Sequence, residues 1–174
     1  SIDAFRVMYP APVINIVGYC REEVVKALGG DNIYVRSENP TGGTGFASYE
    51  AFCVSQLLAQ NHLLVITMGD RVVPTDIYQQ LWQTHINGHQ EAILTLLTAC
   101  YDPPQHLGKG RILRNEKGII IGIREQKDIE AESNLTLRQQ QLALTEGNCP
   151  LYMIRARTLH ALLQNLRNNN AQHQ

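Results

Sequence analysis

The sequence lacks any apolar run long enough to cross a bilayer. Its longest runs, Ile119-Ile120-Ile121 and Ala92 to Leu97, fall far short of the ~20 residues a membrane helix needs. It lacks a charge excess: 15 Lys and Arg stand against 16 Asp and Glu, a formal net charge of -1. No basic field is present to draw nucleic acid. It lacks paired cysteines. Cys20, Cys53, Cys100 and Cys149 are scattered, with no C-x-x-C, so neither a zinc ribbon nor a thioredoxin motif is encoded. Scattered thiols favour a reducing cytoplasm over a disulfide framework. Ser1 to Tyr9 has no basic region followed by an apolar stretch, so no signal peptide is expected there. Internal repeats and coiled-coil heptads are absent as well. What is present is an ordinary globular balance, 44% hydrophobic and 18% charged over 174 residues. That length favours one domain, 1–174, with a sizeable core.

Short β-branched runs alternate with longer amphipathic stretches. Val13 to Gly18 predicts a buried strand, and Glu22 to Leu28 a helix stopped by Gly29-Gly30. Asn32 to Arg36 predicts a second strand. Ala47 to Gln60 carries Tyr49, Phe52, Cys53, Leu57 and Leu58 on roughly one helical face. Leu63 to Met68 predicts a strand entering Gly69-Asp70. Thr75 is expected to N-cap a helix through Trp82, with Asp76 near its positive end. Glu91 to Cys100 predicts a strand. Arg111 to Arg114 and Ile119 to Glu125 predict a hairpin around Asn115-Glu116-Lys117-Gly118. Residues 126–147 are polar and Gln-rich and predict a long loop with one helical turn. Leu151 to Ile154 predicts a strand and Leu159 to Leu166 a helix; Asn168 to Gln174 carries no structural signal. This β-α-β-α-β alternation predicts a mostly parallel sheet covered by helices. Ligands of such sheets bind at the carboxyl ends of strands, here the loops after Val17, Arg36 and Met68.

Four segments could carry chemistry. Thr41-Gly42-Gly43-Thr44-Gly45 lies between a strand and a helix, where bare N–H groups suit an anion or a base carbonyl; composition alone favours a flexible turn. Asp70 ends a strongly apolar strand. It suits Mg²⁺, which prefers one or two carboxylates plus phosphate oxygens, or it caps the following turn. Gly108-Lys109-Gly110-Arg111 could grip a phosphate or a sugar hydroxyl, or be a plain loop. Glu125 ends the second hairpin strand. A carboxylate there accepts hydrogen bonds from sugar hydroxyls, or belongs to a solvated charge cluster. His85 and His89 have helical metal spacing, but Gly88 intervenes and no zincin-type general base follows. The spacing reveals no Ser-His-Asp or Cys-His arrangement.

In order, these segments resemble the uridyltransferase domain of the bacterial bifunctional N-acetylglucosamine-1-phosphate uridyltransferases. Val13 to Leu28 is similar to the family's second strand and helix. Gly43-Thr44-Gly45 resembles its uracil-contacting loop, and Gly69-Asp70-Arg71-Val72-Val73-Pro74 its metal-binding segment. Gly108-Lys109-Gly110-Arg111-Ile112, Gly122 to Asp128 and Asn168 to Gln172 resemble later family stretches. The resemblance implies a three-layer, Rossmann-like α/β fold with a mixed sheet, of the nucleotide-diphospho-sugar transferase type. Its first strand and carboxyl-terminal part would lie outside this sequence, making 1–174 a partial nucleotidyltransferase domain. It implies that Asp70 binds the catalytic Mg²⁺, that Gly43 and Thr44 contact the nucleotide, and that Gly110, Glu125 and Asn148 contact the sugar. The substrates implied are UTP and N-acetylglucosamine 1-phosphate.

The departures are equally specific. The family's triphosphate-gripping glycine loop would precede Ser1, and its second Mg²⁺ ligand would follow the last residue. A uracil-reading glutamine has Glu38 as its nearest counterpart. The family's asparagine-threonine-glycine appears as Asn148-Cys149-Pro150, where Pro150 removes an N–H. The acetyltransferase β-helix is absent from the sequence. Two functions follow: a nucleotidyltransferase forming a UDP-sugar, or a non-catalytic relative that binds a sugar nucleotide or serves as scaffold. An uncovered sheet edge predicts that the isolated chain self-associates, as a homo-oligomer, or is poorly stable.

Overall fold

A computed structural model describes residues 11–54, 61–88, 92–102, 104–105 and 107–165, the side chains of Cys53 and Val54 excepted. Strand β1 (Ile14–Val17) and strand β2 (Ile33–Arg36) pair in parallel, Ile14 opposite Ile33 through Val17 opposite Arg36. Helix α1 (Arg21–Leu28) connects them. It stops where expected, because Gly29 takes φ 78° and donates its N–H to the Val25 carbonyl. Glycine alone enters that left-handed region without strain.

Helix α2 (Gly43–Val54) begins inside the glycine loop, four residues before Ala47. Strand β3 (Leu63–Thr67) and helix α3 (Thr75–Asn87) follow. Thr75 is not the N-cap of α3: Pro74 holds that position, no side chain caps the helix, and Asp76 sits in its first turn as predicted. The helix also runs past Trp82 to Asn87. Strand β4 (Leu94–Cys100) starts later than Glu91, and residues 89–91 lie outside the described set. Strands β5 (Arg111–Arg114) and β6 (Ile120–Arg124) form the expected hairpin. Its turn is closed by the Asn115 side chain, whose Oδ1 accepts from the Lys117 and Ile119 N–H groups at 3.0 Å each.

The stretch 126–147 is not a long loop. It holds helix α4 (Gln126–Glu130), helix α5 (Leu135–Leu142) and the start of strand β7 (Glu146–Arg155). Ile129 anchors α4 by complete burial. Asn134 caps α5, accepting from the Leu137 N–H at 3.1 Å. Arg124 ties both helices to the hairpin, donating to the Asp128 carbonyl of α4 at 3.2 Å and to Gln141 Oε1 of α5 at 2.7 Å, and pairs with Glu132 Oε2 between them at 2.9 Å. Helix α6 (Ala156–Leu163) ends the described fold, starting three residues before Leu159.

The described strands combine parallel and antiparallel pairing, but in two separate sheets, the pair β1-β2 and the five-stranded β3-β7-β5-β6 with β4 on β7, and are less parallel than the alternation alone suggests. Among the described pairings only β1 with β2 is parallel. β7 runs antiparallel to β3 on one side and to β4 on the other, and touches β5 at Gly147 opposite Arg111. β7 also passes through Pro150. The register against β4 jumps there, from Leu96 opposite Tyr152 to Leu97 opposite Cys149. That bulge leaves Pro150 outside the β4 ladder, where its missing N–H costs nothing.

Strand alternation sends side chains to both faces. Leu63 and Val65 of β3 join Leu151 and Met153 of β7 against Tyr78 and Leu81 of α3. Leu64, between them, joins Phe52 of α2 with Ala156 and Leu163 of α6. Helices therefore cover both faces, giving three layers. Among the described residues, no helix is long and apolar enough to cross a membrane. Cys20, Cys100 and Cys149 are free thiols.

Candidate active site

Four strand ends and their loops meet on one side of the fold. The glycine loop comes first. Gly43 opens α2 with φ 79°, a left-handed value open to glycine at little cost. Gly42 has no room for a side chain: a Cβ there would lie 2.8 Å from Asn39 Nδ2 and 2.9 Å from Phe46 Cγ. Thr44 sits in the first turn of α2, and its hydroxyl reaches Met68 Sδ at 3.8 Å. This contact sets the glycine loop beside the turn that carries Asp70. Glu38, at the end of β2, has its N–H held by Glu50 Oε1 at 2.6 Å, while the Glu50 Oε2 is buried without a partner.

Asp70 occupies the turn after β3, closed by the Arg71 N–H on the Met68 carbonyl at 3.3 Å. Its side chain is 72% exposed, and Arg71 Nε lies 3.9 Å from Oδ1, a loose surface pair. Among the described residues no group of three or more His, Cys, Asp or Glu side chains could cage a metal. A single open carboxylate fits Mg²⁺ all the same, because that ion takes one or two carboxylates and fills its octahedron with phosphate oxygens and water.

Gly110, Glu125 and Asn148 come together. The Asn148 N–H donates to the Gly110 carbonyl at 2.8 Å. A Cβ on Gly110 would stand 2.8 Å from Glu125 Oε1, so glycine is what admits the carboxylate. Burial, helped by Asp128, holds the Glu125 carboxyl above its ordinary range, and Arg111 opposes that. Asn148 Nδ2 donates to the Tyr152 hydroxyl at 2.6 Å, leaving its buried Oδ1 without a protein partner. Burial also raises the Tyr152 phenol.

Arg111 does not reach out to a ligand. It is completely buried, donating from Nη1 to the Lys109 carbonyl and from Nη2 to Gln126 Oε1 at 3.4 Å. It braces the loop from beneath. Lys109 turns its ammonium over the Tyr101 ring, 5.2 Å from the centroid. Tyr101 packs so tightly on Gly147 that a Cβ there would fall 2.8 Å from the ring, and its hydroxyl lies 3.2 Å from Cys149 Sγ. The bond to Cys149, with burial, raises the Tyr101 phenol.

His85 has no part in this site. Its Nδ1 pairs with Thr95 Oγ1 at 2.9 Å, fastening α3 to β4, and burial lowers its pKa. His89 and Asn168 to Gln172 lie outside the described residues. Arg71, Tyr101 and Tyr152 were missed from the sequence, since no local pattern marks a residue whose partners are distant in the chain.

No family model matches the chain. It is similar to proteins named bifunctional protein GlmU. It is 31% identical to that of Lactobacillus delbrueckii over 172 residues, 98% of this chain and 34% of the relative. It is 33% identical to that of Mycolicibacterium gilvum, over 99% of this chain and 33% of the relative. Among solved structures, it is similar to CMP:2-keto-3-deoxy-manno-octonic acid synthetase complexed with CTP. The TM-score is 0.61 at 14% identity, covering 90% of this chain and 61% of that one. That likeness is one of fold, a layered α/β architecture. The chain spans about a third of the length of these curated relatives, and the similarity runs over nearly all of its own length.

Proposed function

We propose that 1–174 is a partial nucleotidyltransferase domain. Its parent protein forms UDP-N-acetylglucosamine, or a related nucleotide sugar, from UTP and a sugar 1-phosphate. The observation that carries this is the arrangement around Asp70. The glycine loop touches the Asp70 turn through Thr44 and Met68, and a cavity runs from Arg71 on that turn to Asn148.

Gly43 and Thr44 hold the nucleotide by backbone N–H groups at the start of α2. Gly110, Glu125 and Asn148 hold the sugar, Glu125 accepting from its hydroxyls. The two substrates are thereby set for in-line attack of the sugar-phosphate oxygen on the α-phosphate, with pyrophosphate leaving; positioning supplies much of the acceleration. Asp70 would hold Mg²⁺, which when bound neutralises charge developing on the phosphates.

The test is pyrophosphate release by the full-length protein with UTP, N-acetylglucosamine 1-phosphate and Mg²⁺. Asp70→Asn is expected to lower kcat by about a hundredfold or more, the scale of losing a principal electrostatic stabiliser. No turnover of the wild type with any common nucleoside triphosphate and sugar phosphate would overturn the proposal. Retained binding of UDP-N-acetylglucosamine in that case would favour the non-catalytic relative.

A further inference from the structure

The turn after β3 carries two charged side chains in succession, and they serve different spaces. Asp70 stands open to solvent. Arg71 lines a cavity of about 180 Å³ that it shares with Tyr101, Asn148 and Cys149. Most of the remaining wall is apolar, including Val73, Ile77 and Leu97. A cation at the rim of such a cavity can meet an anion that enters it while the apolar wall takes the uncharged part of the ligand.

Arg71 is also uncommitted. Its closest carboxylate, Asp70, is 3.9 Å from Nε, the limit of an ion pair, and its side chain is 46% exposed. Among the described residues its guanidinium makes no polar contact closer than that pair. Its charge is nevertheless felt at the Tyr101 hydroxyl, where it opposes the rise in that phenol's pKa. Arg71 thus shares a cavity wall with Tyr101 and Asn148 on that side of the Asp70 turn. Thr44 reaches the same turn at Met68.

We infer that Arg71 binds the phosphate of the acceptor sugar phosphate, fixing that dianion at the cavity mouth while Asn148 and Glu125 hold the sugar. A planar guanidinium meets a phosphate with two parallel N–H···O bonds, which sets orientation as well as attraction. Charge is thereby divided across one turn: the carboxylate serves the nucleotide side through a cation, and the guanidinium serves the acceptor side directly. The assignment rests on the sugar-nucleotide reading of the site. It adds a recognition element for the ester phosphate.

The experiment compares calorimetric binding of N-acetylglucosamine 1-phosphate, N-acetylglucosamine and inorganic phosphate to the full-length protein, as wild type, Arg71→Ala and Arg71→Lys. Wild type is expected to bind the sugar phosphate more tightly than the sugar. Arg71→Ala should weaken the sugar phosphate by about tenfold to a hundredfold and leave the sugar unchanged. Arg71→Lys should recover part of the loss, since it keeps the charge without the fork. In turnover, Arg71→Ala should raise KM for the sugar phosphate and leave KM for the nucleotide as it was. Equal binding of the sugar phosphate by wild type and Arg71→Ala would overturn the inference alone. Absence of both sugar-phosphate binding and turnover in the wild type would overturn the sugar-nucleotide reading with it. An unchanged thermal midpoint for Arg71→Ala, expected at this exposure, separates lost binding from lost folding.

Discussion

The two sides of the candidate site are built differently. The side proposed for the nucleotide consists of β1, β2 and the glycine loop, a two-stranded parallel pair whose helix α1 buries no residue. The side proposed for the sugar is mounted on β5, β6 and β7, where Arg111, Ile112, Leu151, Met153 and Ile154 are fully enclosed. Asn148 stands only three residues from Leu151 on the same strand. The sugar contacts are thus held by the core itself, whereas the nucleotide contacts hang on loop conformation and a weak hydroxyl–sulfur contact. One half should recognise its ligand by a fixed shape and the other by a backbone that settles around it.

The largest effect should come from attacking the core beneath the sugar side. Met153→Ala is expected to cost about 2–5 kcal/mol, the range for deleting a large buried side chain. Val35→Ala, at a residue 7% exposed in the parallel pair against 1% for Met153, removes two methyl groups and should cost about 1–2 kcal/mol at ~0.8 kcal/mol per buried methylene. Urea denaturation of both variants tests the contrast, and equal losses would erase it.

A smaller effect should follow from Gly110→Ala. Its Cβ would meet Glu125 Oε1 at 2.8 Å and Ile123 Cγ2 at 3.2 Å, forcing the carboxylate aside. KM for the sugar phosphate should rise about tenfold to a hundredfold, with KM for the nucleotide unchanged. An unaltered sugar KM would mean that the sugar side yields more readily than its packing suggests.

The smallest effect is a matter of pH. Burial raises the Glu125 carboxyl above 4.5, so the folded state favours the protonated form. Its contribution to stability is full below that value and is lost as pH rises through the raised one. Glu125→Gln should therefore raise the denaturation midpoint near pH 7.5, match the wild type near pH 4, and weaken sugar binding throughout. Equal midpoints at both pH values would show that Arg111 offsets the burial completely.

Much of the fold was legible where the signal is local. β1, α1 with its glycine stop, β2, β3 and the hairpin follow from short periodic runs and from turn residues such as Asn115 and Gly118. The errors arose where local preference and tertiary context disagree. Glycines at 43 and 45 disfavour helix, yet α2 starts there, with Gly43 at φ 79° and the Thr44 hydroxyl reaching Met68 Sδ. The polar run after Glu125 folds into α4 and α5 because Ile129 is buried and Asn134 supplies a cap. β7 extends through Pro150 because a bulge removes the ladder bond that proline cannot make. The same division governs the site. Asp70, Gly110, Glu125 and Asn148 could be singled out from ordered segments, but the sequence offered no means of setting Arg71 and Tyr101 beside Asn148.

β7 has one more consequence. A single ten-residue strand carries Asn148 to the site and Leu151 and Met153 to the core, and it lies between β3 and β4. Variation at its amino half is therefore judged twice, once for ligand recognition and once for survival of the fold. The glycine loop is under no such double jeopardy. If the proposed function holds, nucleotide preference should drift over evolutionary time sooner than sugar preference, because the loop can be rewritten without disturbing the strand that holds the molecule together.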